Sequence, residues 1–118
     1  MAAPDDHCSN RPLLPLFLDM SQRRVVIFGG GRVAERKALL FSDYGPVQVV
    51  SQRFTPLLLA FKDRWELIEC DLAVEFKRYL QGAFIAIPAT SNSQLNRSIE
   101  EEAIRIGVLV NRVEGRGE

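Results

Sequence analysis

Four short clusters in this 118-residue chain have the residue types and spacing to handle a phosphorylated ligand or a proton. The first, Gly29-Gly30-Gly31-Arg32-Val33-Ala34, fits G-x-G-x-x-G/A, a turn that brings backbone N–H groups and a helix N-terminus against a pyrophosphate. Gly29 permits the tight turn, Gly31 carries no side chain to block the pyrophosphate, and Ala34 is small enough for helix and strand to pack closely. Arg32 stands where it can contact a phosphate or stay a solvated first-turn side chain. The second cluster, Ser51-Gln52-Arg53, falls about 20 residues after the first glycine, where a dinucleotide site usually offers an acid to the ribose 2′-hydroxyl. Here there is no acid. Ser51 and Gln52 can hydrogen-bond a ribose, and Arg53 can pair with a 2′-phosphate or serve as surface charge, so NAD and NADP both stay open on this reading. The third, Pro88-Ala89-Thr90-Ser91-Asn92, caps a following helix, lines the nicotinamide side of a cleft, or does both. The fourth, Asn111-Arg112-Val113-Glu114, ends in a carboxylate that is either a candidate general base or a solvated glutamate.

These clusters work together only if one architecture places them side by side, and the hydrophobic pattern predicts one. Arg24-Val25-Val26-Ile27-Phe28 is short, β-branched and bounded by Gly29, as in a strand buried on both faces of a parallel sheet. Apolar positions from Arg32 to Tyr44 recur at helical spacing until Gly45-Pro46 stops them. Val47 to Val50 reads as a second strand, Thr55-Pro56 as N-cap and first position of a helix through Lys62, and Glu66 to Glu69 as a third strand. A helix over Leu72 to Leu80 closes at Gly82, and Ala83 to Ile87 is the fourth strand. From Ser93, the residues Leu95, Ile99, Ala103 and Ile106 mark one face of a long helix, Gly107 caps it, and Val108 to Val110 is the fifth strand. Strands alternating with helices predict an α/β, three-layer αβα domain of Rossmann type, its doubly wound parallel sheet in the order 3-2-1-4-5. The predicted domain covers 13–114, with 1–12 a disordered N-terminal tail and 115–118 a C-terminal tail.

Composition narrows the partners. Lys plus Arg and Asp plus Glu are each 15, which gives no reason to expect nucleic acid or an anionic membrane surface. No apolar run approaches the roughly 20 residues of a membrane span, and no signal-peptide pattern opens the chain, so a cytoplasmic protein is expected. The two cysteines, Cys8 and Cys70, and the single histidine, His7, show no metal-ligand spacing, so neither structural zinc nor a disulfide framework is predicted.

Leu14-Pro15-Leu16-Phe17-Leu18-Asp19-Met20, followed by Val25-Val26-Ile27-Phe28-Gly29-Gly30-Gly31-Arg32-Val33-Ala34-Glu35-Arg36-Lys37-Ala38, closely resembles the N-terminal domain of siroheme synthase, the precorrin-2 dehydrogenase/sirohydrochlorin ferrochelatase family. Ala86-Ile87-Pro88-Ala89-Thr90, Leu95-Asn96-Arg97 and Val110-Asn111-Arg112-Val113 resemble its later motifs, and the likeness spans about Leu14 to Glu114. The resemblance implies NAD-dependent oxidation of a tetrapyrrole, precorrin-2, to sirohydrochlorin, with insertion of ferrous iron in bifunctional members. It maps the family's cofactor loops onto Gly30 to Val33, Ser51 to Arg53, Ala89-Thr90 and Asn111. The family's catalytic aspartate falls on Glu114, one methylene longer. Family members continue into a helical dimerisation region that helps enclose the tetrapyrrole, so a homodimer or a partner subunit supplying that surface is the implied assembly. The other class of function open to such a chain is a regulatory module that binds NAD(H) without chemistry of its own.

Overall fold

A computed structural model describes residues 11–113. Of the expected tail over 1–12, residues 1–10, with His7 and Cys8, lie outside the described residues, as do Glu114 and the tail that follows it. Five strands, β1 (Val25–Phe28), β2 (Val47–Ser51), β3 (Glu66–Glu69), β4 (Ile85–Pro88) and β5 (Leu109–Val110), alternate with α1 (Arg32–Phe41), α2 (Pro56–Ala60), α3 (Leu72–Leu80) and α4 (Ser93–Ile106). The sheet runs β3-β2-β1-β4-β5 with every neighbour parallel, the order the alternation predicts.

Alternation along the strands divides the core into two layers. Val25, Ile27, Val47, Val49, Ile85 and Ile87 pack with Ala34 and Ala38 of α1, Leu58 of α2 and Trp65. Val26, Phe28, Val50 and Ala86 turn the other way, against Leu72, Phe76 and Leu80 of α3 and Ile99 and Ala103 of α4. Helices therefore cover both faces, which is why the central strands read as unbroken apolar runs. The winding reverses at β1, and the open end of that switch point is where a ligand binds in this architecture.

The register brings the strand ends level there. Phe28 pairs with Val50 on one side and Pro88 on the other, and the ladder continues through Gly29 N–H to the Val50 carbonyl (2.9 Å) and Ala89 N–H to the Phe28 carbonyl (2.8 Å). The loops after β1, β2 and β4 thus leave from one line.

Several boundaries differ from the sequence reading. α1 ends at Phe41 rather than Tyr44, because Tyr44 and Gly45 both donate back to the Phe41 carbonyl and wrap the chain into a turn. Gly45 is needed there, since a Cβ would lie 2.0 Å from the Met20 carbonyl oxygen. α2 stops at Ala60 rather than Lys62. β4 starts at Ile85 rather than Ala83 and runs on to Pro88. Proline is tolerated because its nitrogen faces the β5 side, where pairing stops at Ala86 with Val110 and no ladder bond is forgone. β5 starts at Leu109 rather than Val108, because Val108 N–H is committed to the Ala103 carbonyl (2.8 Å) beyond a left-handed Gly107, φ 86°, a Schellman-type ending. Of the apolar lead-in before β1, Met20 is partly buried against the core, while Leu13, Leu14, Leu16, Phe17 and Leu18 are exposed.

Candidate functional site

A cleft of about 780 Å³ opens at the switch point, walled by the loops after β1, β2, β3 and β4. The β1–α1 loop forms its floor. Gly29 has φ +130°, and a Cβ on it would lie 2.4 Å from the Ala89 carbonyl oxygen, so this glycine both makes the turn and lets the β4 loop close over it. Gly30, to which the sequence assigned no mechanical role, is packed as tightly on the other side: a Cβ would lie 1.8 Å from the Arg53 carbonyl oxygen. Its own carbonyl accepts from Thr55 N–H at 3.0 Å, so the β1 and β2 loops are tied together. Gly31 is the opposite case. It lines the cleft, and a Cβ there would meet nothing within 4 Å, so the missing side chain leaves open room rather than relieving a clash inside the fold.

Gly31 is also the N-cap of α1, extended in backbone and providing no side-chain cap bond. The other three helices have such a bond from Thr55, Asp71 and Asn92. At α1 the first-turn N–H groups, which an N-cap side chain normally satisfies, face the cleft with the positive end of the helix dipole behind them, a site suited to an anion. Ala34, fully buried, packs α1 against β1 as its small size required.

The remaining expected residues separate into two groups. Arg32 and Val33 at the head of α1, Ser51, Gln52 and Arg53 after β2, and Ala89 and Thr90 after β4 all line the cleft. Arg32 and Arg53 are exposed. Asn111 does not line it. β5 pairs only as far as Val110 with Ala86, whereas β4 continues to Pro88, so Asn111 leaves the sheet recessed behind the other strand ends. Its side-chain Oδ1 is buried and has no hydrogen-bond partner. Beyond it, Arg112 pairs with Glu100 of α4, and Val113 packs against the α1 side of the core, which fixes the path of the chain up to the residue before Glu114.

The loop after β4 turns out both to cap and to line. Asn92 accepts from Gln94 N–H and Leu95 N–H, each at 3.0 Å. Thr90 is clamped by Asn96: the hydroxyl donates to Asn96 Oδ1 (2.6 Å), Thr90 N–H donates to the same oxygen (3.0 Å), and Asn96 Nδ2 donates to the Thr90 carbonyl (3.0 Å). Asn96 had been read only as part of a motif, yet it sets this wall's shape. Asp71, Leu72 and Ala73, at the head of α3, and Leu95 of α4 also line the cleft, though the sequence assigns none of them a place in the site. Asp71 caps α3 by accepting from Ala73 N–H (3.1 Å). The adjacent Cys70 thiol is held above its ordinary range, first by burial and then by the charges of Glu75 and Asp71. Among the described residues no three His, Cys, Asp or Glu side chains are grouped to hold a metal ion, and no helix is long and apolar enough to cross a membrane.

The chain is 43% identical over 110 residues to a precorrin-2 dehydrogenase of Methanosarcina barkeri, covering 88% of this chain and 49% of that protein. It is 39% identical over 107 residues to a siroheme synthase of Cronobacter sakazakii, covering 86% of this chain and 21% of that one. Among solved structures, SirC, a precorrin-2 dehydrogenase, matches with a TM-score of 0.73 at 21% identity over 90% of this chain and 52% of that chain, which shows the shared Rossmann-like fold. The chain spans about half the length of the dehydrogenase and about a fifth of the synthase. The resemblance read from the V-A-E-R-K-A segment is borne out by these relatives. Residues 16–117 match the NAD_binding_7 family, described as "Putative NAD(P)-binding", and the chain belongs to that family.

Proposed function

We propose that this chain is the dinucleotide-binding domain of a precorrin-2 dehydrogenase of siroheme biosynthesis, oxidising precorrin-2 to sirohydrochlorin with NAD as acceptor. One observation carries the reading: the side-chain-free N-terminus of α1, reached through Gly31, opens into the cleft at the switch point in a chain related to proteins named for that reaction. The residues present fit the cofactor. Gly31 and the first turn of α1 would hold the pyrophosphate, with Arg32 beside it; Ser51 and Gln52 would bond the adenosine ribose. Ala89 and Thr90, fixed by Asn96, would border the nicotinamide, whereas Asn111, recessed behind the strand ends with its Oδ1 buried, stands outside that contact. Bound NAD supplies a hydride acceptor. The carboxylate of Glu114 takes up the proton that the macrocycle loses as hydride leaves it, provided it comes within about 2.6–3.2 Å of that proton.

The tetrapyrrole surface, a homodimer and any use of ferrous iron as a second substrate belong to the same proposal, and the cytoplasm is the compartment it implies. The test is NADH formation from precorrin-2, with NAD affinity measured in parallel. Glu114→Ala should abolish turnover while leaving the NAD dissociation constant within a few-fold, and Glu114→Asp should retain activity. Turnover by Glu114→Ala would remove Glu114 from the mechanism. A wild-type chain that binds NAD tightly but forms no NADH from precorrin-2, even with a helical partner added, supports a binding module instead.

A further inference from the structure

The missing acid after β2 leaves open how the cleft tells NAD from NADP, and the fold supplies an acid from an unexpected direction. β3 lies beside β2 with Ser51 paired to Glu69, and the ladder continues as Cys70 N–H donates to the Ser51 carbonyl at 3.1 Å. Asp71, the next residue, therefore enters the cleft one strand over from Ser51 and Gln52, about 5 Å across the sheet from where the usual acid stands. Resting on the reading of the cleft as a dinucleotide site, we propose that Asp71 is its specificity residue, admitting an adenosine ribose with a free 2′-hydroxyl and excluding one that carries a 2′-phosphate.

The observations favour Asp71 over Arg53 as the group that decides. Asp71 is pinned: its Oδ1 accepts from Ala73 N–H as the N-cap of α3, so its charge has a fixed place on the wall. A carboxylate has about four lone-pair sites, enough to hold that cap and still accept from a ribose hydroxyl. Arg53 is held by its backbone, with N–H donating to Ser51 Oγ at 3.4 Å and its carbonyl packed against Gly30, while its long side chain is exposed. Both side chains are exposed, but only the Asp71 carboxylate is held in place by a bond, and a negative charge fixed on the wall repels a doubly charged phosphate at close range and tolerates a hydroxyl. Specificity of this kind comes from the repulsive element as much as from the attractive one. The upward displacement of the Cys70 thiol, to which Asp71 and Glu75 contribute after burial, is consistent with a negative local field at this corner.

The experiment is calorimetric titration of the full chain with NAD and NADP, and with adenosine 5′-monophosphate and adenosine 2′,5′-bisphosphate, which probe the adenosine side alone. Asp71→Asn removes the charge while keeping a good N-cap, and Asp71→Ser is a second variant that also preserves the cap. The wild type should prefer NAD, and both variants should bind NAD more weakly and lower the ratio of NADP to NAD dissociation constants by roughly tenfold, with the two adenosine nucleotides following the same trend. A ratio that moves by less than about twofold in both variants, or a wild type that takes NADP as readily as NAD, overturns the role of Asp71 while leaving dinucleotide binding standing. A wild type that binds none of the four ligands overturns the dinucleotide reading itself.

Discussion

Adjacent glycines in the β1–α1 loop should respond in opposite ways to the same methyl group. In Gly30→Ala the new Cβ would lie 1.8 Å from the Arg53 carbonyl oxygen and 2.9 Å from its carbon. These are backbone atoms, so the two loops must separate. Overpacking of this kind costs about 1–3 kcal/mol, and separation also strains the Thr55 N–H to Gly30 carbonyl bond of 3.0 Å, worth about 1 kcal/mol. The sum, about 2–4 kcal/mol, corresponds to a melting temperature lower by about 10–20 °C in a domain of this size. In Gly31→Ala the methyl meets no protein atom within 4 Å, and the backbone there is extended. Stability should change by less than about 1 kcal/mol, in either direction, as the alanine also restricts the unfolded chain. NAD affinity, however, should fall at least tenfold, about 1.4 kcal/mol, because the methyl projects into room that the proposed reading assigns to the pyrophosphate. Trp65 is the sole tryptophan and is buried, so its fluorescence reports unfolding, and titration calorimetry reports binding. Unchanged NAD affinity in Gly31→Ala would refute the assignment of the open space. An unchanged melting temperature in Gly30→Ala would refute the coupling of the two loops.

Asn96→Ala removes all three bonds of the Thr90 clamp and should cost about 1–3 kcal/mol while weakening NAD binding several-fold, read by denaturant melts and calorimetry; equal NAD affinity would mean that the β4 loop keeps its shape unaided. Cys70 is raised by burial and by Glu75 and Asp71, so its neutral thiol favours the fold. That contribution is complete below the ordinary thiol range near 8.5 and is lost as pH rises through the raised folded value. In a Cys8→Ser background, labelling of Cys70 at pH 8 should be slower than that of a free thiol and should climb steeply above pH 9; a rate already at its plateau at pH 8 would contradict this. Glu102 is held below the ordinary carboxylate range, chiefly by the hydrogen bond from Arg105. Its contribution is therefore complete above about pH 4.3 and is lost as pH falls through the lower folded value. Glu102→Gln should make the acid limb of the stability profile shallower below about pH 5, and an identical limb would show that the pair contributes nothing.

What the sequence made legible was local. The apolar strands, the proline-led α2 behind Thr55, the Gly107 ending and the glycine loop each follow from residues adjacent in the chain. The sheet order followed too, because right-handed crossovers leave few alternatives. What stayed hidden depends on register between distant segments. Asp71 enters the cleft only because Glu69 pairs with Ser51, which no spacing between them announces. Gly30 matters because the Arg53 carbonyl, 23 positions later in the chain, is packed on it. Asn111 lies at the end of β5 as expected, but the Schellman-type ending at Gly107 takes Val108 out of the strand, and the pairing of Val110 with Ala86 leaves Asn111 recessed. The lead-in from Leu13 to Leu18 is apolar in composition and yet exposed, because composition does not say which surface a segment meets.

The cleft is built in two ways, and this separates what its walls can tolerate. On the wall built from the loops after β1, β2 and β3, main-chain bonds extend the sheet: Gly29 to Val50, Thr55 to Gly30 and Cys70 to Ser51. Those bonds belong to the fold, so Gln52 and Arg53 can change with little effect on the backbone beneath them, whereas Asp71 also caps α3 and Ser51 Oγ accepts from Arg53 N–H. On the opposite side the shape rests on side chains, with Asn96 gripping Thr90 and Asn92 capping α4. Changes there alter the wall itself. On the proposed reading, selectivity among dinucleotides is the property most easily retuned by single substitutions, whereas the wall proposed to border the nicotinamide requires Thr90 and Asn96 to change together. A double-mutant cycle on Thr90 and Asn96 should show strong non-additivity in NAD affinity, and one on Arg53 and Asn96, which lie on opposite walls, should be additive to within about 0.5 kcal/mol.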